Sequence, residues 1–336
     1  MMTAFLQPGS REVGNDFRRG PGNPTAPLRH RSLAACCHSA IFRHAGDLPA
    51  NAGTVVLFLT HRNLRMAALA LRELRKQDRR ILMAPAESGH AAIGELLGDV
   101  SRLEVFKSLC ADSDGALAPS PEWMPLLETC GCRKVDFFPP PLPLTEPAWN
   151  FEVPLSKRRG IFVGTSQFSA LSRNHIAAIL LADELSRELG CPLAVENSEG
   201  RRGGMILKSL RKKNPLLFIV EAPVPYADRL RVMALHRIVW QLDRSSDDGW
   251  SAGDALLCRM PCLGGNGTID RIAFPGFSFP LGENDLLSRA RSLLTDDELW
   301  QKSMADSLDR ALAVLSLSAA AGRLAEIHPH VSARPA

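Results

Sequence analysis

Between Gly53 and Val100 continuously apolar runs alternate with amphipathic ones, and that alternation limits the fold more than any other feature of the chain. GTVVLFLTH, residues 53–61, is apolar at nearly every position, as a strand covered on both faces must be. NLRMAALALRELRKQ carries apolar residues at helical spacing, RRILMAPA reads as a second short strand, and HAAIGELLGDV reads as a helix. Strand, helix, strand, helix with unbroken apolar strands is the pattern of a parallel sheet with helices on both faces. A helix running into Ala111, a strand GALAP, a helix beginning at Pro121 behind a Ser120 cap and a brief strand KVDFF continue the series.

Pro139, Pro140, Pro141 and Pro143 then exclude regular sheet or helix and make a stiff extended connector. A second alternation follows it. The strands RGIFVGTS, PLAVEN, PLLFIVEA, RIVWQLD and PCLGG are separated by the helices NHIAAILLADELSREL, GGMILKSLRKK, YADRLRVMALH and Ser251 to Arg259. From GENDLLSRARSLL through SMADSLDRALAVL the chain reads as helical. Residues 1–50, rich in Gly, Pro and Arg and without a sustained period, read as a poorly ordered tail. The expected organisation is that tail, a reduced α/β domain over 51–145, a second α/β domain over 146–315, and a C-terminal tail over 316–336.

Composition excludes several functional classes. The chain is 45% apolar and 23% charged, which is ordinary for a globular protein. A net charge of +4 and a single tyrosine argue against a nucleic-acid platform. The CxC pair Cys130/Cys132 and the Cx3C pair Cys258/Cys262 have no adjacent second pair, so they read as apolar filler and no metal site is expected. The N-terminal stretch lacks the apolar core of a signal peptide, and no run approaches membrane-spanning length. Cytoplasmic placement is therefore expected, with peripheral membrane contact left open; the basic helix bearing Lys208, Arg211, Lys212 and Lys213 reads first as a solvated face and second as a membrane or acceptor contact.

Ligands of parallel sheets collect where strand ends lead into helix starts. That rule selects Gly164-Thr165-Ser166, the turn after PLLFIVEA, the loop Asp243 to Ala252, the glycines Gly264 to Gly267 and, in the first half, Thr60-His61-Arg62. GxGxxG follows neither half's first strand, and GxxxxGK[ST], GxSxG and HExxH are absent, against dinucleotide, P-loop, hydrolase and metalloprotease chemistry. Glycines at strand ends still let a backbone approach a diphosphate, and helix N–H groups bind its oxygens without a metal. In QLDRSSDDGWSAGDALLCRMPCLGG, a helix starting at Ser251 or Ala252 aims its first N–H groups at Asp247, Asp248 and Gly249. The plainer reading makes Ser251 a cap, Asp248 a solvated turn residue and Asp254 a favourable acid in the first turn. His61 is a candidate acid, base or acceptor-orienting group, and Arg173 a candidate phosphate ligand.

Three segments together resemble the donor-binding half of the retaining GT-B glycosyltransferases known as glycosyl transferases group 1. IFVGTSQFSALSRNHIAAILLADEL is similar to the family's strand, glycine, basic loop and helix. EAPVPYADRLRVMALHRIVWQLDRS resembles its turn-helix-strand module, and the stretch from Gln241 through GNGTIDRI its acidic-glycine loop, helix and final glycine turn. ADSDGALAPSPEWMPLLETCGCRKVDFFPPPLP resembles the end of the acceptor half, so the likeness covers residues 105–315. It implies two Rossmann-like α/β/α domains facing across a cleft, a UDP-, GDP- or ADP-sugar as co-substrate, and no obligatory cofactor or metal. It also implies retaining transfer to a carbohydrate, lipid-linked or protein acceptor.

By position, the resemblance puts Gly164 against the diphosphate, Arg173 near the family's phosphate-binding lysine, and Val224, Pro225 and Tyr226 beside the nucleobase. Asp254 matches the second acid of a paired-glutamate motif that contacts the donor ribose, and the first acid falls near Ser246 or Asp247, where no glutamate stands. Thr165 occupies the place of an arginine, which removes a permanent charge from the diphosphate site. Those departures support a second reading, a catalytically degenerate module that binds a nucleotide, a glycan or a partner. A NAD-dependent oxidoreductase also fits the α/β pattern but lacks the glycine fingerprint.

Overall fold

The computed structural model describes residues 2–9, 20–21, 28–165, 167–168 and 170–327. The chain divides into two compact units. One comprises Met1–Gly20, Pro27–Pro143 and Val314–Ala336, and the other Pro21–Ala26 and Leu144–Ala313.

The first unit is built on strands β1 (Met2–Leu6), β2 (Ile41–Phe42), β3 (Ala52–Leu59), β4 (Arg80–Pro85), β5 (Gly115–Ala118) and β6 (Val135–Phe137), with helices α1 (Leu28–Cys36), α2 (Leu64–Lys76), α3 (Gly89–Leu97), α4 (Val100–Asp112) and α5 (Trp123–Thr129) between them. The sheet is parallel and runs β2-β1-β3-β4-β5-β6. Val55, Val56 and Leu57 are fully buried, so β3 is covered on both faces as its unbroken apolar run requires. In α2 the buried stripe Leu64, Ala67, Ala70, Leu71 and Leu74 faces the sheet, and Arg75 and Lys76 complement the dipole at its C-terminus.

The expectation of an unstructured start does not hold for residues 2–9 and 28–50. β1 lies inside the sheet between β2 and β3, with Phe5 opposite Val56 and stacked on Phe58 at 6.1 Å between ring centroids. Five residues are too few to show a period, and the Gly/Arg-rich text after them hid the strand. Residues 10–19 and 22–27 lie outside the described residues. With β1 and β2 the first sheet is six-stranded rather than reduced. Within the expected tail at 316–336, Leu317–Ile327 form a helix whose Leu317, Ala320, Leu324 and Ile327 are buried and which packs against α1, while residues 328–336 lie outside the described residues. One local reading also changes. The α5 helix starts at Trp123, whose N–H donates to the Ser120 carbonyl at 3.1 Å, so the Ser120 hydroxyl is no cap. The proline run, expected as a stiff extended connector, is buried, and Leu142 N–H donates to the Leu315 carbonyl at 2.6 Å.

The second unit carries β7 (Ile161–Val163), α6 (His175–Leu189), β8 (Leu193–Asn197), α7 (Gly200–Arg211), β9 (Leu217–Glu221), α8 (Tyr226–Ala234), β10 (Ile238–Trp240), α9 (Trp250–Leu257), β11 (Cys262–Leu263), α10 (Thr268–Ala273) and α11 (Glu283–Thr295). Helix α12 (Asp297–Leu315) follows, and the Leu317–Ile327 helix is α13. The parallel sheet runs β11-β10-β7-β8-β9. The chain thus winds outward from β7 through β8 to β9, then crosses back to β10 and β11 on the other side. Right-handed crossovers place α6 and α7 on one face and α8 and α9, which pack together, on the other. The loops after β7 and β10 consequently diverge, and a crevice opens between them at the carboxyl edge.

If β1 is an integral strand, Phe5→Ala removes a fully buried ring and lowers unfolding stability by about 3–5 kcal/mol in a denaturant titration. A change below about 1 kcal/mol would return the segment to the status of a tail.

Candidate functional site

At that divergence lies a cavity of about 280 Å³. Its floor is set by one contact. Ser251, in the first turn of α9, donates its hydroxyl to the Gly164 carbonyl at 2.7 Å, and Gly164 N–H donates to the Trp240 carbonyl at 2.9 Å. A Cβ on Gly164 would stand 2.7 Å from Val239 Cγ1 and 2.9 Å from Ser251 Cβ, so the glycine is required by the approach of α9 itself. Gly249 is the N-cap of α9 with φ +80°, and a Cβ there would meet Asp270 Oδ2 at 2.5 Å. Having no side chain, it leaves the first turn of α9 without a side-chain cap, with Trp250 and Ser251 facing the cavity.

Two arginines line the cavity, each held between two carboxylates. Arg173 ends a short 3-10 turn ahead of α6, which is tied to the β10 loop by Arg244 N–H to the Ser172 carbonyl at 2.9 Å and by Asn174 Nδ2 to the Leu242 carbonyl at 3.0 Å. Its guanidinium pairs with Asp243 and, at 2.7 Å, with Asp247. Burial alone would lower its affinity for the proton, but the Asp247 and Asp243 charges outweigh that and hold it above the ordinary arginine value. Arg229 on α8 bridges Glu196 of β8 at 2.7 Å and Asp254 of α9, and lies over the Phe162 ring at 5.7 Å. Burial opposes its charge, yet Asp254 and Glu196 raise it above its usual range. Tyr226 donates its hydroxyl to the other Asp254 oxygen. Burial pushes the Asp254 carboxyl up, and Arg229 and Tyr226 pull it back.

Thr165 continues from Gly164 into the wall, and its Oγ1 lies 2.8 Å from Nδ1 of His175, the first residue of α6. His175 is 2% exposed and packs edge-on against Phe168 with centroids 4.5 Å apart. Burial pushes its imidazole down to about 4, against a small upward pull from Glu199, so the ring is neutral near pH 7.

Of the residues singled out by sequence, Gly164, Thr165, Arg173, Tyr226, Asp247, Gly249, Ser251 and Asp254 line this one cavity. Ser166 lies outside the described residues. Val224 is partly buried and is not part of the lining. Asp248 is not a solvated turn residue: it is fully buried, and its carbonyl accepts the Ile269 N–H at 2.9 Å. The Ser251 hydroxyl is spent on Gly164 rather than on a helix cap. His61 belongs to the first unit, after β3. Its Nδ1 donates to Glu87 at 2.8 Å, its backbone N–H donates to the same carboxylate at 2.9 Å, and its Nε2 accepts from Arg62 Nε at 3.0 Å.

The reading from sequence missed Glu196 and Arg229, and gave Asp243, at the edge of the loop it selected, no role of its own. Arg229 stands three positions after Tyr226, hence on the same helix face, and that spacing was the available signal.

The pairing of the buried Asp254 with the largely covered Arg229 gives Asp254 a structural role that can be measured without any ligand. Asp254→Ala strands Arg229 with Glu196 alone and is expected to cost about 3–5 kcal/mol of unfolding stability; a loss under about 1 kcal/mol would mean the pair carries little of the fold. His175 makes a prediction about pH. Its folded-state value lies below the ordinary 6.5, so the unfolded chain binds the extra proton and stability falls as pH drops from 6.5 toward 4. Over that window wild type should lose about 3 kcal/mol more than His175→Phe, read from denaturant midpoints, and parallel curves for the two proteins would contradict it.

No protein-family model matches the chain, and no curated protein matches it. Its structure is similar to that of a glycosyltransferase from Rickettsia africae, with TM-score 0.64, 10% identity and 99% of each chain covered. An alpha-glucosyltransferase in complex with UDP-glucose and DNA containing an abasic site gives TM-score 0.58 at 10% identity, over 97% of this chain and 98% of that one. UDP-GlcNAc 2-epimerase from Methanocaldococcus jannaschii gives TM-score 0.55 at 12% identity, over 98% and 100%. The two parallel-sheet α/β units have the GT-B fold of the first two of these proteins, both glycosyltransferases.

Proposed function

We propose that the chain is a glycosyltransferase that takes a sugar from a nucleotide-diphosphate donor held in the second unit and passes it, with retention, to an acceptor not yet identified. The observation that carries this is the cavity at the β7/β10 switch, where Thr165, Arg173 and the uncapped first turn of α9 converge. UDP-glucose in the alpha-glucosyltransferase of the same fold supports a nucleotide sugar as the co-substrate. The first unit would serve the acceptor, with His61, oriented by Glu87, as its polar group at the strand ends. Arg173 and the α9 N–H groups would stabilise charge on the departing diphosphate. The reaction needs positioned charge and exclusion of water more than a side-chain nucleophile. No described helix is long and apolar enough to cross a membrane, and we place the protein in the cytoplasm, with membrane contact confined to the surface.

The cavity is acid-rich: Glu196, Asp243, Asp247 and Asp254 face two guanidiniums. A diphosphate must therefore draw Arg173 partly away from Asp243 and Asp247. Asp254, occupied by Tyr226 and Arg229, has less to offer a ribose than the family's glutamate. These two features favour the second reading, a module that binds nucleotide without transfer.

Calorimetric titration with UDP, GDP and ADP, followed by assay of donor hydrolysis and transfer, separates the two. Binding with neither reaction would favour the module. Within either reading the charges act in opposite directions. Arg173→Met should weaken binding of the preferred nucleotide diphosphate by about 10-fold or more, and Asp247→Asn should tighten it by several-fold. Unchanged affinity in Arg173→Met would remove Arg173 from the site.

A further inference from the structure

The neutral, buried His175 has no part in the function proposed so far, yet it touches Thr165, the uncharged cavity residue that stands where the resembling family has an arginine. A threonine hydroxyl has one proton to give and two lone pairs to receive with. At the 2.8 Å contact between Thr165 Oγ1 and His175 Nδ1, the shared proton comes from one side or the other. If Thr165 supplies it, the hydroxyl has no donor left for a ligand and the imidazole proton sits on Nε2. Nε2 is buried, without a hydrogen-bond partner among the described residues, and Glu199 acts on the ring only at a distance. A buried N–H without an acceptor is the rarer and costlier defect, and a buried lone pair the more tolerated one. The arrangement with the proton on Nδ1 leaves only that lone pair uncompensated. Thr165 Oγ1 then accepts from the ring, and its own proton is free to turn toward the cavity that Thr165 lines. Accepting a hydrogen bond also polarises the hydroxyl and makes it a stronger donor.

We propose that His175 is a positioning residue: by donating Nδ1–H to Thr165 Oγ1 it presents the Thr165 hydroxyl proton to an oxygen of the bound diphosphate. This rests on reading the cavity as a nucleotide-diphosphate site. It gives Thr165 a function of its own, since a neutral donor attracts phosphate oxygens and requires no balancing carboxylate, in a cavity where both arginines are already committed to carboxylates.

Two measurements test it. Nitrogen-15 NMR of the wild-type protein labelled at histidine, with the His175 signal assigned by its loss in His175→Asn, reports which ring nitrogen carries the proton and needs no ligand. The proton on Nδ1 at pH 7 is expected, and a proton on Nε2 overturns the proposal. Calorimetry then uses whichever of UDP, GDP and ADP wild type binds best. Thr165→Val and His175→Phe should each weaken it by about 10-fold, and the double variant no further than either single one. Thr165→Ser keeps the hydroxyl, and His175→Asn places an amide N–H where Nδ1 stood, so both should stay within about 2-fold of wild type. Losses that multiply in the double variant, or a His175→Asn as weak as His175→Phe, would show a merely structural histidine. Wild type binding none of the three nucleotides would overturn the donor-site reading and this proposal with it, whereas normal binding with the Nε2 tautomer would overturn this proposal alone.

Discussion

The hydrogen bond from Ser251 to the Gly164 carbonyl decides where everything else around the cavity of the second unit can stand. It joins the end of β7, the first strand of that sheet, to the first turn of α9, the helix that follows the return crossover. Because the sheet order reverses between β7 and β10, these two points bound the place where the loops at the carboxyl edge part. Gly164 admits the approach by lacking a Cβ, and Gly249 turns the chain into α9 at a φ no other residue adopts easily. The cavity is thus a consequence of topology first and of side chains second.

What the side chains add is an unusual balance of charge. In a water-exposed setting, arginines flanked by pairs of carboxylates would contribute little, but Asp254 is buried and the Arg229 side chain is only 14% exposed, and there an unpaired member is costly. The Glu196–Arg229–Asp254 group therefore ties β8, α8 and α9 together, while Asp243–Arg173–Asp247 ties the α6 leader to the β10 loop. One group is structural through burial. The other, with Arg173 more exposed at 27%, has the freedom to exchange a carboxylate for a phosphate. That difference assigns the two arginines different work although both line the same cavity.

The alternation of apolar runs and helical stripes carried the fold, because strands such as GTVVLFLTH and helices such as NHIAAILLADELSREL are long enough to show their period. β1 escaped notice for the opposite reason: five residues buried inside a sheet carry no pattern that a loop could not imitate. Eight of the residues singled out along the sequence meet in one cavity because strand-end loops converge there by topology. Their partners were not legible. Nothing local in the sequence says that Arg173 will meet Asp243 and Asp247, or that Ser251 will spend its hydroxyl on Gly164, since each contact joins segments brought together only by the crossovers.

The central claim is that the β7/β10 crevice receives the diphosphate of a sugar nucleotide. A crystal structure of the protein soaked with UDP-, GDP- and ADP-sugars in turn tests it most directly. The account predicts a diphosphate within hydrogen-bond distance of Thr165 Oγ1 and the first-turn N–H groups of α9, with Arg173 turned from Asp247 toward a phosphate oxygen. A sugar nucleotide bound elsewhere on the chain, with the Arg173–Asp243–Asp247 contacts intact, would contradict it.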